Sequence, residues 1–195
     1  MLFTTILSYI PYTFVTAFTP GPNNILSLYA VSRGGWKKGI KTLLGITAGF
    51  LCVMLICALF CYQLQKIVPS ITGIMRYVGA AYILWLAIHV MKSGPDDSES
   101  QPVGFLKGFT LEFVNVKIIL YAITVYTGYV LPFDQSLISM FVHAVVLTLI
   151  GAAGFFTWAA AGGFLQKFLS RHYRPFNIAM GLVLLYCAVT LALDI

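Results

Sequence analysis

Charged residues are scarce in this chain. They make up 9% of its 195 residues, whereas 59% of the residues are hydrophobic. A soluble domain of ordinary composition has about 25% charged residues, because its surface has to be hydrated. The charges present here are too few to cover a domain of this size, so most of the outer surface must face lipid. The composition excludes a water-soluble globular protein and predicts an integral membrane protein.

The sequence also lacks the recognised arrangements of catalytic and cofactor-binding residues. It contains no phosphate-binding glycine loop, no dinucleotide fingerprint and no paired histidines. We therefore expect a protein that is not an enzyme, with no catalytic residues, no metal and no cofactor. The net charge of +6 does not indicate a nucleic-acid partner, because the basic residues lie at the ends of apolar runs and form no stripe.

Cysteine is rare as well, and all four cysteines lie inside apolar runs, at Cys52, Cys57, Cys61 and Cys187. No pair has the spacing of a zinc or redox site. A buried free cysteine usually acts as a small hydrophobic side chain, and we interpret all four in this way. The alternative from another functional class is a membrane-embedded thiol redox protein, in which Cys57 and Cys61 share a helix face.

Six apolar runs have the length of a membrane-spanning helix, which needs about 20 residues. They cover residues 2–31, 39–63, 71–91, 103–131, 137–168 and 176–193. The predicted fold is all-α, a polytopic membrane protein whose six transmembrane helices form one domain over residues 1–195. The fifth run is too long for a perpendicular span, and we expect it to tilt or to kink at Gly151.

A hydrophilic segment, residues 92–102, divides the chain into halves of three spans each, residues 1–91 and 103–195. An odd number of spans reverses the second half, which predicts a 3+3 inverted repeat of the kind found in secondary transporters. Basic residues mark the cytoplasmic side of a membrane protein. We therefore place the 92–102 loop in the cytoplasm and both termini in the periplasm. The basic residues on the loop side are Arg33, Lys37, Lys38, Lys41, Lys92, Lys107, Lys167, Arg171 and Arg174.

The first apolar run is interrupted by Thr19-Pro20-Gly21-Pro22-Asn23-Asn24. Two prolines around a glycine break a helix. Inside a membrane the freed backbone groups must line protein or a water-filled cavity. The half-helix that begins near Asn24 directs its N-terminal amides at the gap, where they attract an anion such as a carboxylate. The alternative is a simple kink, or a turn between two short helices.

The first run of the second half contains Glu112, Asn115 and Lys117. An ionisable group at the centre of a membrane costs about 3 kcal/mol or more, so it normally has a partner or a function. Glu112 and Asn115 share a helix face, and local unwinding at Asn115 would let Lys117 converge with them. The alternatives are that Lys117 snorkels to the interface, or that Glu112 and Lys117 only neutralise each other.

These motifs resemble the LysE/RhtB family of bacterial amino-acid exporters. The segment 19–23, followed by residues 32–39 and 45–50, is similar to the N-terminal signature of that family, and residues 79–87 resemble its third helix. The family usually has Asn-Pro-Lys in its second half, whereas residues 115–117 here are Asn-Val-Lys. The segment 113–121, which contains this valine, resembles the branch of the family that exports cysteine and O-acetylserine.

The resemblance implies a secondary transporter of the bacterial inner membrane that exports small amino acids, cysteine and O-acetylserine, by proton antiport. It assigns places near the transport path to Pro20, Gly21, Pro22, Asn23, Asn115 and Lys117. We add Asn24 as a substrate-binding residue, because it starts the half-helix. Glu112 is not a recognised feature of the family and is our candidate for proton coupling or for binding the substrate amine.

The expected partners are the small amino acid, protons and the lipid bilayer, and the sequence leaves a homo-oligomer open. The cargo also has alternatives: threonine, homoserine or a basic amino acid of the lysine type. The resulting hypothesis is an alternating-access exporter in which two broken helices face each other near the middle of the membrane.

Overall fold

The computed structural model describes residues 2–19, 21–67, 71–92 and 104–193, and every regular element within these ranges is helical. The all-α prediction is therefore confirmed for the described chain. Pro20 and most of the predicted 92–102 loop lie outside the described residues. The elements are α1 (Leu2–Phe18), α2 (Pro22–Ile67), α3 (Ile71–Lys92), α4 (Phe105–Val114), α5 (Val116–Val125), a π-helical turn (Tyr126–Val130) and α6 (Leu137–Leu193).

The two longest helices each contain bends. In α2 the bend is at Gly35, with a φ of 65° and a ψ of 169°. In α6 it is at Gly162, with a φ of 47°, and again at His172. A positive φ is readily accessible only to glycine, so Gly35 and Gly162 suit these positions. Of the two expectations for the fifth apolar run, the kink at Gly151 is wrong, and the tilt in the membrane stays a prediction. Gly151 is regular helix, and its missing side chain gives room to two aromatic rings from the protein interior.

The helices are those of a multi-pass membrane protein. Among the described residues, the segments Gly35–Lys66 and Leu137–Gly162 are each long and apolar enough to cross a bilayer alone. Helix α4 and the helix that follows it make a third candidate span, bent by 62°. Tyr77–Lys92 and Asn177–Leu193 are shorter apolar helices. Large apolar side chains also cover much of the outer surface, for example Ile138, which is 77% exposed.

Glycines allow α4 to pack closely on α2. A Cβ atom at Gly49 would lie 2.5 Å from the carbonyl oxygen of Phe109, and one at Gly108 would lie 2.5 Å from that of Thr42. Close approach at small residues stabilises helix pairs in membranes through van der Waals contact. The same contacts fix the height of α4, and hence of Glu112 near its C-terminal end, relative to α2.

The C-terminal end of α1 is held against α6. A Cβ atom at Gly154 would lie 2.5 Å from the carbonyl oxygen of Ala17. Trp158 Nε1 donates a 3.2 Å hydrogen bond to the carbonyl oxygen of Phe18. The last carbonyls of a helix have no partner within that helix, so this bond satisfies one of them. Helix α6 thereby positions the end of α1 at which the chain breaks.

Candidate functional site

The break predicted in the first apolar run is present. Helix α1 ends at Phe18 and α2 begins at Pro22, and proline suits the first position of a helix because its missing N–H would be unpaired there. The side chain of Asn24 bridges this break with hydrogen bonds. Its Nδ2 donates hydrogen bonds to the carbonyl oxygens of Ala17, at 2.8 Å, and of Thr19, at 2.7 Å. These bonds satisfy carbonyls freed by the break, as the interior of a membrane requires.

The second break is at Asn115, the position at which the sequence indicates local unwinding as the condition for Lys117 to converge with its neighbours. Helix α4 ends at Val114 and α5 begins at Val116, while Asn115 between them is extended, with a φ of −80° and a ψ of 90°. The family pattern has proline where this chain has Val116. Valine keeps its backbone N–H, so the break at Asn115 is not imposed by a proline. The hydrogen bond that Asn115 Nδ2 donates to Asn23 Oδ1 stabilises it instead.

A chain of hydrogen bonds joins the two breaks. Asn115 Nδ2 donates to Asn23 Oδ1 at 3.1 Å, and Asn23 Nδ2 donates to Glu112 Oε2 at 3.0 Å. All three side chains are buried, and Glu112 is 0% exposed. The other carboxyl oxygen, Glu112 Oε1, has no hydrogen-bond partner in the described structure. The two breaks therefore form one hydrogen-bonded unit, with an ionisable group at one end.

Lys117 extends from α5 across the first break. Its Nζ makes a long hydrogen bond, 3.4 Å, to the carbonyl oxygen of Thr16. A Cβ atom at Gly21 would lie 3.1 Å from the same Nζ, so glycine leaves room for the ammonium group. Within the described chain, Lys117 and Glu112 form no ion pair with each other. The geometry therefore supports neither snorkelling of Lys117 nor mutual neutralisation.

The breaks border a cavity of about 30 Å³. This is room for about one or two water molecules, so an amino acid requires the walls to move apart. All the predicted substrate-binding residues that the structure describes line it: Gly21, Pro22, Asn23, Asn24, Asn115 and Lys117. Pro20 lies outside the described residues. Glu112 is absent from the lining and contacts the site through Asn23.

The rest of the lining was not predicted from the sequence. It consists of Thr13, Thr16 and Ala17 from α1, Phe50 from α2, Ile118 and Tyr121 from α5, and Gly151 and Phe155 from α6. One signal for the threonines was available, because Thr13 and Thr16 are three residues apart on the face of α1 that leads to the break. The aromatic residues gave no signal, since phenylalanine is frequent throughout the chain.

Two polar atoms of this lining are buried without a partner among the described residues. They are Thr16 Oγ1 and Asn24 Oδ1. Buried polar atoms are normally hydrogen-bonded, so each unpaired one requires an explanation. Both residues line the cavity, but these two atoms are themselves buried, so a bound molecule would reach them only when the walls move apart.

The cysteines lie away from this cavity. Cys57, Cys61 and Cys187 are buried in the apolar core and Cys52 is half-buried, and all four are free thiols. None of them lines the cavity. The position of the cysteines supports their interpretation as packing residues.

Comparison with known proteins identifies relatives over most of the chain. Residues 14–195 match the family model described as LysE type translocator. The cysteine/O-acetylserine efflux protein of Salmonella typhimurium strain LT2 is 46% identical over 180 residues, which is 91% of this chain and 92% of that protein. The protein of the same name from Escherichia coli K12 is 42% identical with the same coverage. No solved structure matches.

Proposed function

Because the chain belongs to the LysE-type translocator family, we propose that it exports cysteine and O-acetylserine across the bacterial inner membrane. Family membership makes it an amino-acid transporter and not an enzyme. The names of its relatives support the cargo. The observation that carries the proposal is the cavity between two helix breaks, which presents charged and polar groups in an apolar protein.

The cavity provides complementary groups for both ends of a zwitterionic amino acid. The Lys117 ammonium and the N-terminal amides of α2 bind the substrate carboxylate. Once the walls move apart, Thr16 Oγ1 and Asn24 Oδ1, two buried atoms without a partner among the described residues, accept hydrogen bonds from the substrate ammonium. Since Asn23 lies between Glu112 and the cavity, we assign Glu112 to proton coupling and not to the amine.

The position of Glu112 supports proton antiport. A proton bound or released at this carboxyl group changes its hydrogen bond to Asn23, which in turn holds Asn115 at the second break. An ionisable residue buried in a membrane protein is by default a functional residue. Protonation of one residue can therefore alter the link between the breaks and bias the transporter toward one access state.

The proposed architecture has six spans in two inverted halves of three. Helix α1 with residues 22–34 forms the first span and α4 with α5 forms the fourth, and each contains a break. The breaks thus occur in the first span of each half, the arrangement expected of an inverted repeat whose site lies between the repeats. The bend at Gly35 separates the first span from the second along α2, α3 is the third span, and the bends at Gly162 and His172 separate the fifth span from the sixth along α6.

Efflux from proteoliposomes tests the cargo and the role of Lys117. We expect the protein to release labelled cysteine and labelled O-acetylserine, and an inward proton gradient across the membrane to accelerate release. Lys117→Ala removes a charged hydrogen-bonding group, worth about 1.5–3 kcal/mol, so efflux should fall about ten- to hundredfold. Lys107→Ala is the matched control, because Lys107 is exposed on α4.

Two results would contradict the proposal. Failure of the folded wild-type protein to move either compound would reject the cargo, and release of labelled threonine, homoserine or lysine instead would identify a different one. Normal efflux by a folded Lys117→Ala variant would remove Lys117 from the site.

Replacement of all four cysteines by alanine tests the thiol redox alternative. None of these residues lines the cavity, so a transporter should retain efflux if the variant folds. Loss of efflux in a variant with an unchanged melting temperature would support the redox alternative.

A further inference from the structure

Part of the cavity wall is aromatic and comes from outside the breaks. Phe50 of α2 and Phe155 of α6 are each 3% exposed, and their rings meet edge to face with centroids 5.7 Å apart. The ring of Phe50 also lies 6.3 Å from that of Tyr121. The cavity thus has two parts: polar groups at the breaks, and an apolar wall contributed by α2, α5 and α6.

Gly151 faces the tips of both phenylalanine rings. A Cβ atom at this position would lie 3.3 Å from Phe50 Cζ and 3.5 Å from Phe155 Cζ. The helix is regular here, so the backbone does not require glycine. A methyl group would need only a small shift of the Phe50 ring, yet it would occupy space beside both rings. The absence of a side chain therefore leaves room in the cavity wall.

The charge of the lining restricts what this apolar part can accept. Among the described residues, Lys117 is the lining residue with a formal charge, and no carboxylate lines the cavity beside it. A basic substrate side chain would add a second cation with no anion to neutralise it, in surroundings where an unpaired charge is unfavourable. The lining therefore favours side chains that are uncharged.

We propose that Phe50, Gly151 and Phe155 form the subsite for the substrate side chain, and that Gly151 sets its maximum length. This inference rests on the proposed amino-acid export. The substrate class is zwitterionic α-amino acids with short, uncharged side chains. The thiol of cysteine is well suited to aromatic neighbours, because sulfur makes favourable contacts with ring edges. O-acetylserine has the longer side chain, so a methyl group at position 151 would hinder it more than it hinders cysteine.

The selectivity of two variants tests this subsite in proteoliposomes. Gly151→Ala should lower the efflux of O-acetylserine relative to that of cysteine about tenfold, since one methyl group in an apolar pocket changes selectivity by about that factor or more. Phe155→Leu enlarges the subsite and should shift the ratio in the opposite direction. It should also admit norleucine, a longer uncharged amino acid. Ala153→Val is the control, because Ala153 is exposed on the same helix.

Each outcome is decisive for one of the two proposals. If wild-type protein moves both compounds and neither variant changes the ratio, the subsite is rejected and the export function stands. A uniform loss of both substrates in Gly151→Ala and Phe155→Leu would make these residues packing residues only and would also reject it. If Gly151→Ala does not fold, the opposite shift in Phe155→Leu decides the question. Wild-type protein that moves neither compound rejects the proposed function itself.

Discussion

Asparagine side chains hold the site together because an amide is both donor and acceptor. Asn23 accepts a hydrogen bond from Asn115 and donates one to Glu112. Asn24 donates to two carbonyl oxygens that the end of α1 leaves free. A neutral amide makes these bonds without placing a further charge in the membrane interior. Asparagine therefore suits positions 23 and 24 of the first break better than aspartate or lysine.

Glu112→Gln should uncouple transport from the proton gradient and leave the fold intact. The amide oxygen of glutamine accepts the bond from Asn23 Nδ2 as Glu112 Oε2 does. Glutamine, however, does not exchange a proton. In proteoliposomes the variant should release cysteine at the same rate with and without an imposed proton gradient, whereas the gradient should accelerate the wild type.

Glu112→Ala is the companion variant for this prediction. It removes the acceptor of Asn23 as well as the proton site, so we expect a lower melting temperature in addition to uncoupling. Acceleration of Glu112→Gln by the gradient, to the extent seen in the wild type, would locate the coupling proton at another residue.

Individual residues were predictable from the sequence where they contrast with an apolar background. Prolines, Asn23, Glu112 and Lys117 are conspicuous because each is unfavourable inside a membrane helix. Thr16, Phe50 and Gly151 belong to residue types that are common in membrane helices. Their position in the cavity wall depends on the packing of α1, α2 and α6, which a single sequence does not specify.

The two helix breaks have different causes, and this difference decides how well each could be predicted. The first is encoded locally, by Pro22 and Gly21 next to each other in an apolar run. The second, at Asn115, has no proline and depends on a hydrogen bond to Asn23, which is distant in the sequence. The sequence therefore predicted the first break directly. At Asn115 it indicated only that unwinding would be needed for Lys117 to approach Glu112 and Asn115. The error at Gly151 has a similar origin, because glycine serves both for bends and for close packing.

Gly49→Ala should destabilise the pairing of α2 with α4 and disturb the site. Its Cβ atom would lie 2.5 Å from the carbonyl oxygen of Phe109 and 2.9 Å from Glu112 Cγ, so α4 would have to move. Overpacking of this kind costs about 1–3 kcal/mol of unfolding free energy. Thermal unfolding in detergent should show a lower melting temperature, and efflux should fall because Glu112 is displaced from Asn23.

Leu44→Ala is the control for this helix pair, because Leu44 is on α2 but half exposed on the outer surface. It should change the melting temperature less than Gly49→Ala does. Equal melting temperatures for Gly49→Ala and the wild type would show that α4 can shift at little cost, contrary to the packing argument.

For the whole molecule, the helix packing agrees with the proposed topology, in which the basic residues mark the cytoplasmic side. The backbone N–H of Gly104 donates a 2.8 Å hydrogen bond to Thr42 Oγ1. This bond places the start of the second half beside the part of α2 that follows Lys37, Lys38 and Lys41. Lys107, in the first turn of α4, is exposed near the same end. The basic residues just before Thr42 and those at the start of α4 thus lie near one another, in agreement with the proposed cytoplasmic side.

Reporter fusions should place both termini outside the cytoplasm. Alkaline phosphatase fused after Ile195 should be active, because its disulfides form only in an oxidising compartment such as the periplasm. A green fluorescent protein at the same site should be dark. The same reporters fused after Ser98, in the loop between the halves, should give the opposite pair of results. Five spans would put the termini on opposite sides, so a fluorescent fusion at the C-terminus together with an active N-terminal phosphatase would overturn both the six-span count and the inverted repeat.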